Sequence, residues 1–135
     1  MKELFGLQRR AVRIVAGLPY RADCRQAFIS LNILTCVYIL ACILLVHKTY
    51  DTYPKAGYHH TYGTRQNNNI GVKFLRLTRS RHAANYVGPK LYNLLPRCAH
   101  SWSQDVLRDR VKSYLLVGAY YSVDDCIDAR FHELC

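Results

Sequence analysis

Apolar residues recur at helical spacing from the start of the chain: Leu4, Leu7, Ala11, Ile14, Val15 and Leu18 fall on one arc, with Lys2, Arg9 and Arg13 opposite. The spacing predicts an amphipathic helix over 2–18, ended by Gly17 and Pro19. Asp23 is placed to cap a short helix through Leu31, and Thr35 a longer one reaching about Lys48. Residues Ile33 to Val46 are apolar almost throughout. As a helix this run spans only ~21 Å, short of the ~30 Å hydrocarbon layer, so it reads as a central buried helix and not as a membrane span.

From Asp51 to Arg81 the pattern dissolves. Pro54, Gly57, Gly63, Asn67-Asn68-Asn69 and Gly71 lie among Tyr, His and basic residues, which predicts a long loop, with weak alternation over Val72 to Leu77 for a short strand. Helical spacing resumes near Ala83, with Val87, Leu91, Leu94 and Leu95 on a common arc, Pro89 inside it or at its first turn, and Pro96 stopping it. Ser103 is a cap for the next helix, where Leu107, Val111 and Tyr114 share a face, Arg108, Arg110 and Lys112 stay accessible, and Gly118 closes the element. Ser122 caps an acidic last turn or two, whose Asp124 and Asp125 suit the positive end of a helix dipole. The fold class is therefore mainly α: a small helical domain of about five helices with one long basic loop over 51–81, with room for a short β-hairpin.

A chain of 135 residues has the length of one domain. Its 50% hydrophobic content places it among globular chains, so any disorder is local. The formal charge of +10 changes the picture more, because clustered Lys and Arg gain affinity for polyanions by releasing counterions. That charge is uneven: +4 over 1–32, none over 33–47, +6 over 48–81, +3 over 82–117 and −3 over 118–135. The six cysteines are dispersed and follow no secretory signal, which favours reduced thiols and an intracellular setting, nucleus or cytoplasm. Cys36 and Cys42, inside the apolar run, serve as small hydrophobes.

Catalytic chemistry is hard to assemble from these residues. Close-set metal ligand pairs such as Cys-x2-Cys are missing; the best set, Cys98 and His100 with Cys126, His132 and Cys135, needs loops to converge. His59-His60, beside Tyr58 and Tyr62, reads as a polar loop that contains histidines before it reads as a metal or base-stacking site. Tyr121-Ser-Val-Asp124-Asp125 is one residue too long for the aromatic-x-Asp-Asp motif by which polymerases hold two divalent ions, and capping already accounts for its aspartates. Gly-rich phosphate loops, G-x-S-x-G and H-E-x-x-H do not occur. The residues therefore imply no catalytic group, no metal, no cofactor and no small-molecule substrate.

An ordered set of segments does carry a resemblance. Leu7-Gln8-Arg9-Arg10-Ala11-Val12-Arg13-Ile14-Val15 comes first, then Tyr20-Arg21, Cys24, Phe28, Leu31 and the Ile33-Leu34-Thr35 to Tyr38 stretch. Tyr62-Gly63-Thr64-Arg65 and Tyr86-Val87-Gly88-Pro89-Lys90-Leu91-Tyr92-Asn93-Leu94-Leu95-Pro96 follow, and the set closes with Leu107-Arg108, Val111-Lys112, Leu115-Leu116 and Tyr121-Ser122. Together, from Leu7 to Ile127, these resemble the C-terminal region of reverse transcriptases from non-LTR retrotransposons, the jockey-like elements of arthropods in particular. Leu107 stands where that family usually has an aromatic, and the tail 128–135 matches nothing in it.

The resemblance implies a parent polyprotein that is an RNA-directed DNA polymerase, copying element RNA into DNA at a nicked target. It also implies that this piece lies beyond the catalytic aspartates, with the palm and thumb of the parent as partner and RNA or an RNA/DNA duplex as ligand. The candidate phosphate contacts are Arg9, Arg10, Arg13, Arg65, Lys73, Arg76, Arg79 and Arg81, with Arg65 equally able to tie the loop to the core. A competing reading is a degenerate remnant that acts only as a structural or protein-interaction unit. Such a piece exposes the apolar arc of 2–18 that once met the thumb.

Overall fold

The fold is that of a computed structural model, which describes residues 2–59, 62–63, 65–131 and 133–134. Its helices are α1 (Lys2–Val15), α2 (Arg25–Ser30), α3 (Val37–Lys48), α4 (Ala84–Asn93), α5 (Gln104–Gly118) and α6 (Val123–Ala129), with short 3₁₀ turns between α3 and α4 and before α5. The uncharged run forms α3, which lies at the centre. Ile39, Leu40, Cys42, Ile43 and Val46 are buried there against Val87, Leu91, Tyr92 and Leu95 of α4 and Leu107, Val111 and Leu115 of α5. No helix is long and apolar enough to cross a membrane among the described residues.

The signature from Tyr86 to Pro96 builds the crossing of α3 and α4. A Cβ on Gly88 would lie 2.8 Å from Val46 Cγ2, so a side chain there would have to displace Val46, while its 3.5 Å to the Cys42 carbonyl oxygen would be ordinary contact. Pro89 sits within α4, at its sixth residue, and is buried. It therefore marks neither the first turn nor the end of the helix. Tyr92 is fully buried, and its hydroxyl meets His47 Nδ1 at 2.8 Å. His47 Nε2 donates to the Trp102 carbonyl at 3.0 Å, so the ring bridges α4 and the turn before α5. Burial pushes the Tyr92 phenol up to about 12.

Helix ends follow their local chemistry in most places. Gly17, at φ 66°, closes α1, with Leu18 N–H on the Arg13 carbonyl and Gly17 N–H on that of Ile14. Ser103 and Ser122 accept from Val106 N–H and Asp125 N–H as caps of α5 and α6. Two expected caps do other work. Asp23 precedes the cap position, accepting from Arg25 N–H at 3.3 Å and from the Tyr121 hydroxyl at 3.0 Å. Buried Thr35 donates to the Tyr120 carbonyl, 85 residues away. Gly118 is the last residue of α5, and the left-handed turn falls on Ala119 at φ 42°.

An amphipathic helix ordinarily turns its apolar stripe to the core. Helix α1 does the reverse: Leu4 is 71% exposed and Ile14 74%, with Leu7 and Val15 close behind, while Val12 is 3% exposed. Its inner face is Phe5, Gln8, Arg9, Val12 and Arg13. Val12 joins Cys24, Ala27 and Phe28 in a small second core, against which Phe5 and Tyr121 pack. Phe5 meets the Tyr121 ring edge-on, with centroids 5.2 Å apart. Gln8 Nε2 donates to the Leu34 carbonyl at 3.0 Å and Arg13 Nε to the Ala22 carbonyl at 2.9 Å. Two polar side chains thereby satisfy turn carbonyls that would otherwise lack donors.

The tail after Ile127 belongs to the main core. Arg130 and Phe131 are both left-handed, at φ 52° and 51°, which turns the Phe131 ring inward to 5.1 Å from that of Tyr114. Phe131 and Leu134 are buried. Cys24, Cys36, Cys42 and Cys126 are free thiols, whereas Cys98 is disulfide-bonded, against the expectation of uniformly reduced cysteines. Burial pushes the Cys126 thiol up to about 12 and raises that of Cys42, so both behave as apolar filler.

Candidate nucleic-acid interface

The long basic loop is held in shape by one side chain of α4. Within it, Ala56 N–H bonds the Asn69 carbonyl and Gly71 N–H the Pro54 carbonyl, each at 2.8 Å, around a single antiparallel bridge between Lys55 and Ile70. Among the described residues that bridge is all that forms of the expected hairpin, and the segment 72–77 runs on without a ladder partner there. Asn93 completes the frame: its Oδ1 accepts from Ile70 N–H and its Nδ2 donates to Ile70 C=O, both at 2.9 Å. Ile70 is buried, so these two backbone groups have no recourse to water. The Tyr50 hydroxyl adds a bond to the Asn68 carbonyl at 2.8 Å.

On this frame the charge is one-sided. Between Asp51 and Asp105 the sequence has no Asp or Glu and eight Lys and Arg: Lys55, Arg65, Lys73, Arg76, Arg79, Arg81, Lys90 and Arg97. The ion pair among the described residues is Arg108 with Asp105, at 3.0 Å and well exposed, which contributes little. Arg65, Lys73, Arg76 and Arg79 are exposed and unpaired among the described residues. They present positive charge that the protein does not neutralise. Arg65 is tied through its backbone, since Arg97 donates to its carbonyl at 3.2 Å, and its side chain takes no part in that tie.

Of the other candidates, Arg81, Arg9 and Arg13 are already engaged. Arg81 Nε donates to the Leu75 carbonyl at 2.8 Å, and its guanidinium lies 5.5 Å from the Phe74 ring centroid. Arg9 is half-buried over Phe5 at 5.2 Å and Tyr121 at 5.7 Å, its Nε without a hydrogen-bond partner among the described residues. Arg13 holds the Ala22 turn. Of the expected stripe Arg9, Arg10 and Arg13, Arg10 alone is fully exposed. The basic surface thus centres on the loop and not on α1.

Sequence reasoning missed three residues of this region. Asn93 has no signature by itself, although an amide just before a helix end is a frequent backbone clamp. Phe74, 81% exposed between Lys73 and Arg76, was visible as an aromatic among basic residues. Tyr121 joins the two ends of the chain: its hydroxyl reaches Asp23, its ring takes the Arg25 guanidinium at 4.6 Å, and burial raises its phenol. The Tyr121 bond in turn lowers the Asp23 carboxyl below its ordinary value.

No three His, Cys, Asp or Glu converge to hold a metal among the described residues. His60, Thr64, His132 and Cys135, and the side chains of Tyr58 and His59, lie outside them, so that part of the expected sites has no structural description. Comparisons with protein-family models, with curated proteins and with solved structures return no significant match.

Proposed function

We propose that this chain is a C-terminal fragment of a non-LTR retrotransposon reverse transcriptase, lying beyond the palm and thumb, and that it binds RNA or a template–primer duplex without chemistry of its own. The resemblance of the ordered segments Leu7 to Ile127 motivates the family. The observation that carries the binding role is the carboxylate-free stretch between Asp51 and Asp105, whose Arg65, Lys73, Arg76 and Arg79 stand exposed and unpaired among the described residues on a loop clamped by Asn93. Unneutralised charge on a fixed frame is what backbone phosphates select.

The test is anisotropy of a labelled RNA hairpin at about 50 and about 200 mM salt. The expected result is binding that weakens steeply with salt, and a triple variant Lys73→Gln, Arg76→Gln, Arg79→Gln that weakens it further and flattens the salt slope by about two to three. Absence of binding, or binding unaffected by the triple variant, would rule the role out.

A second reading rests on α1. Its stripe of Leu4, Leu7, Ile14 and Val15 lies in solvent, as a helix face does when its cover is elsewhere. In that reading the chain is a remnant that serves as a structural or protein-interaction unit, and the missing thumb is what the stripe fits. Concentration-dependent association that Leu7→Lys abolishes, without affinity for RNA, would favour it.

A further inference from the structure

Where the loop ladder ends, the chain and α4 diverge and leave a cavity. Gly71 makes the last ladder bond, to Pro54, and residues of the segment that follows face α4 residues across a shared space. Between them lies a space of about 210 Å³, lined by Tyr53, Pro54, Gly71, Lys73, Asn85 and Tyr86 among others. This is smaller than the ~300–1,000 Å³ pockets that enclose drug-sized ligands, and it has room for one ring system.

The lining brings together aromatic, amide and cationic side chains, the groups that stack on a base, pair with its edge and meet its phosphate. Tyr53 and Tyr86 are half-buried rings, flat apolar walls of the kind on which bases stack. Asn85 is exposed and makes no hydrogen bond among the described residues, so its amide offers a donor and an acceptor side by side. An amide in that state pairs bidentately with a base edge. Lys73, also in the lining, is exposed and unpaired among the described residues and can meet a phosphate, and exposed Arg76 and Arg79 follow it in the chain. Phe74, next along the chain, is 81% exposed and offers a further ring to a neighbouring base.

We propose that this cavity receives one unstacked base of a single-stranded nucleic acid whose backbone follows Lys73, Arg76 and Arg79. A base within a duplex cannot enter it, because both its faces are stacked on neighbouring bases. The inference rests on the nucleic-acid-binding reading above and narrows its ligand to a single strand.

The experiment uses the full chain and labelled single strands of about twelve nucleotides, oligo-A and oligo-U as RNA and the same sequences as DNA, beside a duplex. Asn85→Ala is the main variant, since the side chain is exposed and has no partner to lose. The expected result is about a tenfold loss for the preferred single strand, with duplex affinity and salt slope unchanged. The Asn85 side-chain amide resonance should also shift on adding that strand and stay fixed on adding inorganic polyphosphate, which has charge but no base. RNA bound more tightly than DNA would place the 2′-hydroxyl in the contact, and equal affinity would place the base alone there; either supports the pocket. Equal losses for strand and duplex, no loss, or a shift with polyphosphate would overturn it. A chain that binds the duplex normally while Asn85→Ala changes nothing overturns the pocket alone, whereas an unmutated chain that binds no nucleic acid overturns the parent reading and the pocket with it.

Discussion

The side-chain amide of Asn93 replaces a β-strand neighbour for Ile70, accepting from its N–H and donating to its C=O at 2.9 Å each. One residue of α4 therefore fixes the register of a loop that follows α3, and that loop carries the exposed cations Arg65, Lys73, Arg76 and Arg79. Asn93→Ala should leave both groups of buried Ile70 unpaired and cost about 2–6 kcal/mol, at about 1–3 kcal/mol per orphaned group. Asn93→Asp should cost as much, because a carboxylate keeps the acceptor and sets an oxygen against the Ile70 carbonyl. Urea unfolding measures the loss, and amide exchange at Ile70 should accelerate selectively.

Gly88→Ala should destabilise the crossing of α3 and α4 by about 1–3 kcal/mol, since the new methyl meets Val46 Cγ2 at 2.8 Å. Val46→Ala removes that methyl and is expected to be destabilising alone. In the double variant the two effects should add to less than their sum, and a double-mutant cycle reads the coupling.

The reversed orientation of α1 is checked by two substitutions with opposite expectations. Leu7→Lys, on the exposed stripe, should change stability by less than about 0.5 kcal/mol and raise solubility. Val12→Ala, in the second core, should cost about 2 kcal/mol. Equal effects would mean that the helix packs by its apolar arc after all.

His100 supplies a pH dependence. Its Nε2 is buried without a hydrogen-bond partner among the described residues, and burial first, then the charges of His47 and Lys55, hold its pKa below the ordinary 6.5. The folded chain thus prefers the neutral ring, and the unfolded chain takes up the proton first as pH falls. Stability should be fully present above the unfolded value and decline as pH drops through it toward the folded one. Urea midpoints should fall between about pH 7.5 and about pH 5, and His100→Gln should flatten the decline. The lowered Asp23 carboxyl acts in the same direction only in more acid solution, below its ordinary 3.8, and so stays out of this window.

The elements were largely legible because their signals are local. Most of the uncharged run 33–47 lies in the central helix, Val37–Lys48, Ser103 and Ser122 cap as expected, and Gly17 ends α1 in the left-handed turn that glycine allows. The hairpin was not: Val72 to Leu77 alternates too briefly, and among the described residues no second strand offers a ladder. The basic stripe on α1 was half legible, since spacing placed Arg9 and Arg13 together but gave no hint that Tyr121 and the Ala22 carbonyl engage them.

The sequence by itself determined which segments are helical, where they end and that the charge gathers between Asp51 and Asp105. Only the tertiary structure decided that α1 turns Phe5 and Val12 inward, that Gly88 is a crossing point, and that Asn93 holds Ile70. Helical periodicity fixes which side chains share an arc, because it depends on neighbours within a turn or two. It cannot fix which arc is covered. That choice depends on surfaces far along the chain, here Tyr121 packed on Phe5 and bonded near Cys24, 97 residues before it.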